Sequence, residues 1–275
     1  MLESKFELRF PSHQNAVDIF EDHWACRIEE VCPGLKSGLL PVFGADRRPS
    51  IAAQHLGLVP GSLDGMTILE LGPLEGAHTY QLARLGAKHI LAIEANSEAY
   101  LKCLVVKEIL QIPRCRLLLG DCLKFLQAQQ DPFDMIFCSG ILYHMENPFE
   151  LIKGISQHTD RVFLWTHYYD PAIPSNPPRN PKAVVCDGLE LTFYEHVYED
   201  MDYGKFWGGN KPTASWLTKD AIEQCFRHFG YDLTIHEDNR TTQIGSHITA
   251  TASRQVSQSR TPSSRVSMAG SETSF

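Results

Sequence analysis

The sequence predicts an open α/β fold: a mostly parallel sheet with helices on both faces and an antiparallel closing strand. Three patterns carry that reading. Between residues 66 and 168, short apolar runs alternate with stretches of helical periodicity, the pattern of βαβ units. The loops between them are short, as they are in compact α/β domains. Two later runs, 231–237 and 246–251, look like a closing antiparallel pair.

Taken in order, residues 66–71 read as the first strand and 77–85 as a helix stopped by Gly86. Residues 89–93 form the second strand and 97–110 the next helix, with Tyr100, Leu101, Leu104, Val105 and Ile109 as its apolar face. The third strand is 116–119, followed by a short helix over 122–128, a fourth strand over 133–138, a helix over 148–155 and a fifth strand over 161–167. Ahead of this core, residues 12–57 read as mostly helical, with Ala16, Ile19, Phe20 and Trp24 on one face of an opening helix. Behind it, residues 170–213 hold six prolines and four glycines among many aromatics. That stretch is too aromatic for a linker and is expected to be an inserted, lid-like loop region. Residues 215–229 read as a helix. From about residue 252 the chain is Ser-rich and aperiodic, a composition that does not offset its ordering entropy, so it is expected to be disordered. The expected plan is an N-terminal helical segment over 1–60, a core domain over 61–252 carrying the insert 170–213, and a tail over 253–275.

Composition narrows the function classes. The chain has 275 residues, 43% hydrophobic and 21% charged, enough for a sizeable core and too balanced for a disordered protein. No apolar run approaches the ~20 residues of a membrane span, and the first ten residues mix both charge signs without an apolar stretch, so neither a membrane protein nor a secreted one is expected. Eight cysteines without a Cys-x-x-Cys pair fit reduced thiols in the cytoplasm better than a disulfide frame or a zinc site. No tight ligand spacing supports a metal. The formal net charge of -8 argues against a broad phosphate-backbone footprint, so a nucleic-acid partner is not expected. Arg47 and Arg48 are the only adjacent arginines.

The chemistry lies at the ends of the strands. The first βα turn runs Leu69-Glu70-Leu71-Gly72-Pro73-Leu74-Glu75-Gly76-Ala77-His78-Thr79, so backbone can approach a ligand and helix N-terminal amides can face it. The dinucleotide pattern Gly-x-Gly-x-x-Gly fails here, and no Tyr-x-x-x-Lys dyad stands out, which disfavours an NAD-dependent oxidoreductase. An acidic strand end followed by Gly-x-x-x-Gly is instead similar to the glycine motif of class I S-adenosylmethionine-dependent methyltransferases. Gly140-Ile141-Leu142-Tyr143-His144-Met145-Glu146-Asn147-Pro148 resembles the segment after strand four in the branch related to the tRNA wobble-uridine carboxymethyltransferase. Trp207-Gly208-Gly209-Asn210, Pro212 and Ser215-Trp216-Leu217-Thr218 are similar to that branch too. The resemblance spans roughly residues 60–250. Leu74 departs from it, standing where a middle glycine is usual and leaving less room beside the methionine moiety, and the chain lacks the net basicity expected of a tRNA enzyme.

The resemblance implies a Rossmann-like methyltransferase fold with a seven-stranded sheet and S-adenosyl-L-methionine as cofactor. It places Glu70, Gly72, Pro73, Leu74, Gly76 and Thr79 around the glycine loop. Glu94, 22 residues after Gly72, would accept from two vicinal ribose hydroxyls, with Ala95 and Asn96 beside it. Asp121 would accept from the adenine amino group, with Cys122 lining the base and Ser139 and Gly140 ending strand four. Asp121 reads equally as a plain helix N-cap. Catalytic candidates are His144, a possible base near neutrality, Tyr143 beside it, and His167 at the end of strand five. His144 reads equally as a packing residue under the cofactor. Tyr194, Glu195 and His196 in the insert are candidates for a lid. The function expected is methyl transfer to a small-molecule acceptor. The alternatives are a tRNA-modifying (carboxy)methyltransferase and a cofactor-binding protein without catalysis.

Overall fold

The computed structural model describes residues 6–129, 131–173, 179–198, 209 and 211–254. The chain opens with α1 (His13–Asp18), a 3-10 turn over Ile28–Glu30, α2 (Val42–Ala45) and α3 (Arg48–Leu56). The core follows as β1 (Thr67–Leu71), α4 (Ala77–Arg84), β2 (His89–Glu94), α5 (Ser97–Ile109), β3 (Cys115–Leu119), α6 (Cys122–Ala128), β4 (Met135–Ser139), α7 (Pro148–His158) and β5 (Arg161–His167). It continues through β6 (Pro181–Cys186), β7 (Leu189–Val197), β8 (Thr213–Trp216), α8 (Lys219–His228), β9 (Asp232–Asn239) and β10 (His247–Ser253).

Among the described residues, seven strands form one sheet in the order β3-β2-β1-β4-β5-β10-β9. β1 to β5 pair in parallel, and β10 runs antiparallel to both of its neighbours. Strand alternation divides the core into two layers. On β4, Ile136 and Cys138 face one layer and Met135 and Phe137 the other; on β5, Val162 and Leu164 oppose Phe163 in the same way. α6, α7 and α8 cover the first face, while α3, α4, α5 and the N-terminal segment cover the second. Such two-sided burial explains why the central strands read as continuous apolar runs. Strand order reverses between β1 and β4, and ligands of open α/β sheets bind outside the carboxyl ends of the strands at that point.

The structure corrects four readings. The N-terminal segment is mostly irregular rather than mostly helical: α1 stops at Asp18, and Asp22 adopts φ 64°. Ile19 is exposed, and Trp24 lies beyond the helix with its indole N–H donating to the Val17 carbonyl at 2.8 Å. In α5 the buried face is Ala99, Lys102, Cys103, Val106 and Ile109, with Leu101 and Leu104 exposed. Lys102 is 1% exposed, and its ammonium lies 3.3 Å from Glu75 and 2.9 Å from Glu98 while donating to the His23 carbonyl. Burying a charge is costly unless it is paired, and these partners rotate the helix away from its apparent apolar stripe.

The insert is not simply a loop region, since β6, β7 and β8 form an antiparallel three-stranded sheet. Its hairpin turns on Asp187 and Gly188, both at positive φ (49° and 83°), as a type I′ turn requires. The helix expected over 215–229 begins at Lys219, where the Thr218 side chain caps the Ala221 amide; Ser215 and Trp216 belong to β8. The Trp207-Gly208 and Asn210 positions and the tail from 255 lie outside the described residues.

Ordered contacts run past the expected boundary at 252. Arg254 donates to the Ser156 and Thr159 carbonyls at 2.7 Å each and to Asp160 at 2.9 Å, and its guanidinium lies 4.5 Å from the centre of the Tyr231 ring. Arg254→Ala is expected to lower the melting temperature by several degrees, about 1–2 kcal/mol. Arg47→Ala, at a side chain 80% exposed, is expected to leave it unchanged. Thermal melts of the two variants check this.

Candidate active site

The turn from β1 to α4 is shaped by glycines where side chains do not fit. Gly72 adopts φ 64°, and a Cβ there would stand 2.2 Å from Ile141 Cδ1; Gly76 adopts φ 80° at the start of α4. Leu74 sits at φ 62°, a conformation costing a non-glycine residue roughly 1 kcal/mol. Two bonds hold it there: its N–H donates to Glu94 Oε2 at 3.0 Å, and its carbonyl accepts from the Cys103 thiol at 2.9 Å. Pro73 is buried between them. The neighbouring Glu75 is wholly buried and accepts from the Ala25 and Cys26 amides, which ties the loop to the N-terminal segment.

Two buried carboxylates end β1 and β2. Glu70 Oε2 accepts from the Thr79 hydroxyl at 2.5 Å, and Oε1 has no donor. Burial pushes Glu70 up to about 8, opposed by the Thr79 bond and helped by the charge of Glu94. Glu94 accepts from Leu74 on one oxygen and from the Asn96 amide, at 2.9 Å, on the other. Burial raises its pKa against the pull of these amides. Each oxygen keeps a second acceptor site. Asn96 caps α5 through the Ala99 amide, and Ala95 is exposed. Asp121 caps α6, with Oδ1 taking the Leu123 and Lys124 amides at 2.8 and 3.3 Å, and Cys122 follows it at the start of that helix.

The end of β4 carries a cluster the sequence reading missed. Ser139 Oγ accepts from Arg48 Nη1 at 2.9 Å, and the Arg48 guanidinium lies 4.8 Å from the centre of the Trp165 ring. Asp46 bridges Arg48 and His78, which lies 3.1 Å away. Against the cost of burial, His78 and Arg48 hold the Asp46 carboxyl well below the usual range. Of the adjacent arginines, Arg47 is exposed, while Arg48 turns inward with its charge taken by Asp46. The pairing with Asp46, two residues back, is local, but the reach to Ser139 across 91 residues is not.

The third group gathers at the ends of β4 and β5. Gly140, at φ 84°, donates its N–H to the Trp165 carbonyl at 2.9 Å, and a Cβ on it would lie 3.7 Å from the Tyr143 hydroxyl. Tyr143 and His144 share a 3-10 turn over Leu142–His144. The Tyr143 ring centre lies 4.1 Å from His144, 4.6 Å from His167 and 5.9 Å from Trp216. His167 stacks on Trp216 at 5.4 Å and 14°. Its Nδ1 lies 3.0 Å from the Ser246 carbonyl; a carbonyl only accepts, so Nδ1 carries the proton and neutral His167 keeps its lone pair on Nε2. His144 Nδ1 faces the Tyr198 hydroxyl at 2.6 Å. Burial pushes both imidazoles down to about 4, helped at His144 by His167 and at His167 by His247 and Arg179, with the Ser246 bond opposing it. Tyr194 and His196 of the insert alternate with Glu195 on β7, and His196 lies 5.4 Å from Trp216.

The chain belongs to the methyltransferase-domain family, whose pattern matches residues 62–230. The cofactor of that domain is S-adenosyl-L-methionine. A curated relative from Methylococcus capsulatus named tRNA U34 carboxymethyltransferase is 29% identical over 184 residues, covering 66% of this chain and 51% of the relative. One of the same name from Campylobacter hominis is 27% identical over 111 residues, covering 39% and 38%. The chain thus spans about half or less of the length of these relatives. Among solved structures, the N-terminal domain of EvdMO1 with SAH bound superposes with a TM-score of 0.67 at 21% identity, covering 89% of this chain and 99% of that one. Magnesium protoporphyrin IX methyltransferase from Synechocystis PCC 6803 with bound SAM gives a TM-score of 0.51 at 15% identity, covering 91% and 100%. These likenesses show the Rossmann-like methyltransferase fold. No described helix is long and apolar enough to cross a membrane, and no group of possible metal ligands occurs among the described residues.

The raised pKa of Glu70 makes a pH prediction. Its folded value of about 8 lies above its ordinary 4.5, so the stability of the protonated form is complete below ~4.5 and is lost as pH rises through ~8. Glu70→Gln does not titrate. The melting temperature of the variant minus that of the wild type is expected to increase by a few degrees between pH 5 and 9, and parallel melts across that range check it.

Proposed function

We propose that the protein transfers a methyl group from S-adenosylmethionine to a small-molecule acceptor, with His167 as general base. The observation that carries the base assignment is the Nδ1–H bond of His167 to Ser246, which leaves the lone pair on Nε2 at the end of β5, beside Tyr143. The residues present fit the cofactor. Glu94 has acceptor capacity for two vicinal hydroxyls, Gly72 and Gly76 leave backbone bare for the methionine end, and Gly120 is open, with nothing within 4 Å of a Cβ placed there. Asp121 and Cys122 would border the adenine, and Ser139 and Gly140 the methyl side. When bound, the cofactor supplies a sulfonium methyl with a good leaving group.

The protein's own task is then alignment and exclusion of water. Tyr143, Trp165 and Trp216 form an apolar wall, and His167 takes the acceptor proton when the nucleophile arrives protonated. His144, bonded to Tyr198, positions that wall. A pKa of about 4 keeps His167 unprotonated across the neutral range, and its low basicity suffices because the acceptor proton becomes strongly acidic as the bond to the methyl carbon forms.

A small acceptor is supported by the net charge of -8 and by the engagement of Arg48 with Asp46 and Ser139 rather than with solvent. The names of the curated relatives favour RNA instead. Methyl-labelled S-adenosylmethionine offered with a panel of small hydroxyl and amine compounds, and separately with bulk tRNA, decides between them. Label on a small compound is the expected result, and label on tRNA alone would overturn the reading. His167→Asn keeps a donor for Ser246 and removes Nε2, so kcat should fall by about 10²- to 10⁴-fold with affinity for S-adenosylhomocysteine unchanged. The wild-type rate should lose activity on the acid side near pH 4–5 rather than near 6.5, because the base is lost only as pH falls through about 4.

A further inference from the structure

Arg179 is a half-buried cation that stacks on Trp216. No carboxylate among the described residues pairs with it, and the groups acting on its charge are burial, Tyr169 and Tyr198. Its guanidinium lies 4.1 Å from the centre of the Trp216 ring and 5.9 Å from that of Tyr169. Nη1 donates to His196 Nδ1 at 2.5 Å. A guanidinium has no acceptor, so Nδ1 must hold the lone pair, and neutral His196 carries its proton on Nε2. Burial and the Arg179 charge keep His196 neutral, pushing it down to about 4. Two more donors are buried without an acceptor: Arg179 Nε and Trp216 Nε1.

Around one indole, then, stand one positive charge with no carboxylate partner among the described residues, two buried N–H groups with no acceptor there, and the Nε2–H of His196. Stacking on an aromatic face returns less than desolvating an ion costs. Buried donors left unmet add a further cost. Trp216 also stacks on His167, so this group adjoins the proposed base.

We propose that Arg179, with the N–H groups of Trp216 and His196, forms an anion seat beside the methyl-transfer site and that the acceptor carries a carboxylate which occupies it. This rests on the small-molecule reading above. A carboxylate fits the planar fork of a guanidinium and brings one negative charge to one free cation. A phosphate dianion would bring a second charge, and Arg48, the cation over Trp165, is already paired with Asp46. A neutral polyol would offer acceptors and leave the charge uncompensated. The seat orients the acceptor from the insert side while β4 and β5 present the reacting groups.

The test is calorimetric titration of the full chain, loaded with S-adenosylhomocysteine, with benzoate, benzamide, a neutral hexose and inorganic phosphate. Benzoate should bind at least about tenfold more tightly than benzamide and more tightly than the hexose or phosphate. Arg179→Gln should erase the preference for benzoate, and Trp216→Phe, which keeps a ring without the N–H, should weaken benzoate severalfold. Both variants should bind S-adenosylhomocysteine as the wild type does, and Arg179→Gln should melt no lower. Equal binding of benzoate and benzamide, no binding of benzoate, or an undiminished preference in Arg179→Gln would overturn the proposal, as would tighter phosphate binding. Repeating the benzoate and benzamide titrations without S-adenosylhomocysteine separates the two claims. Failure to bind S-adenosylhomocysteine strikes the proposed function, whereas loss of the benzoate preference strikes the seat.

Discussion

The carboxylate of Glu94 is the fixed point of this structure. It ends β2, takes the amide of Leu74 on one oxygen and that of Asn96 on the other, and so joins the glycine loop to the start of α5. Without it Leu74 would have no compensation for its positive φ beyond the Cys103 thiol. Charge-assisted bonds of this kind contribute roughly 1.5–3 kcal/mol each, more than the strain they offset. The usual assumption that a strand-end carboxylate waits idle for its ligand does not hold here. Glu94 is structural in the unliganded protein, and the proposed cofactor site adds a second role to it.

A second constraint comes from the N-terminal segment. Its contacts enter the site at two levels: Glu75 takes the Ala25 and Cys26 amides under the glycine loop, and Arg48 reaches Ser139 at the end of β4. The buried Lys102 neutralises Glu75 and brings Glu98 with it. The segment is thus built into the cofactor side of the cleft. The opposite side is built by the insert, whose β8 brings Trp216 against His167 and whose β7 brings His196 against Trp216 and Tyr194 against Tyr169, with Tyr198 immediately beyond β7 reaching His144. The two sides differ in origin and in charge pairing: on the N-terminal side Arg48 and His78 are matched by Asp46, whereas on the insert side Arg179 lies over Trp216 with no carboxylate partner among the described residues.

The sheet was legible in the sequence because two-sided burial forces apolar runs, and α6 and β5 begin and end at the residues the pattern marked. The glycine turn and the strand-end acids were legible because glycine at positive φ and acid at a strand end are local requirements. What stayed hidden was non-local. Lys102 is buried because Glu75 and the His23 carbonyl meet it from other elements. Arg48 pairs inward because Asp46 and His78 fold against it, and no helical stripe or motif announces either. The insert misled for a different reason: its prolines and glycines signal turns, and the Asp187-Gly188 hairpin between two short runs was outweighed by them. Likewise the choice between His144 and His167 depends on which ring nitrogen meets a carbonyl, a fact of tertiary structure alone.

The dual role of Glu94 is tested most directly by calorimetric titration of S-adenosylhomocysteine into the wild type and Glu94→Gln, with melts of both. The glutamine keeps one acceptor oxygen and replaces the other by an amide that cannot accept from Leu74 or Asn96. Affinity should fall by at least about tenfold, ~1.4 kcal/mol, and the melting temperature of the unliganded protein should fall as well. Unchanged affinity, whatever the melting temperature does, would contradict the placement of the cofactor at this strand end.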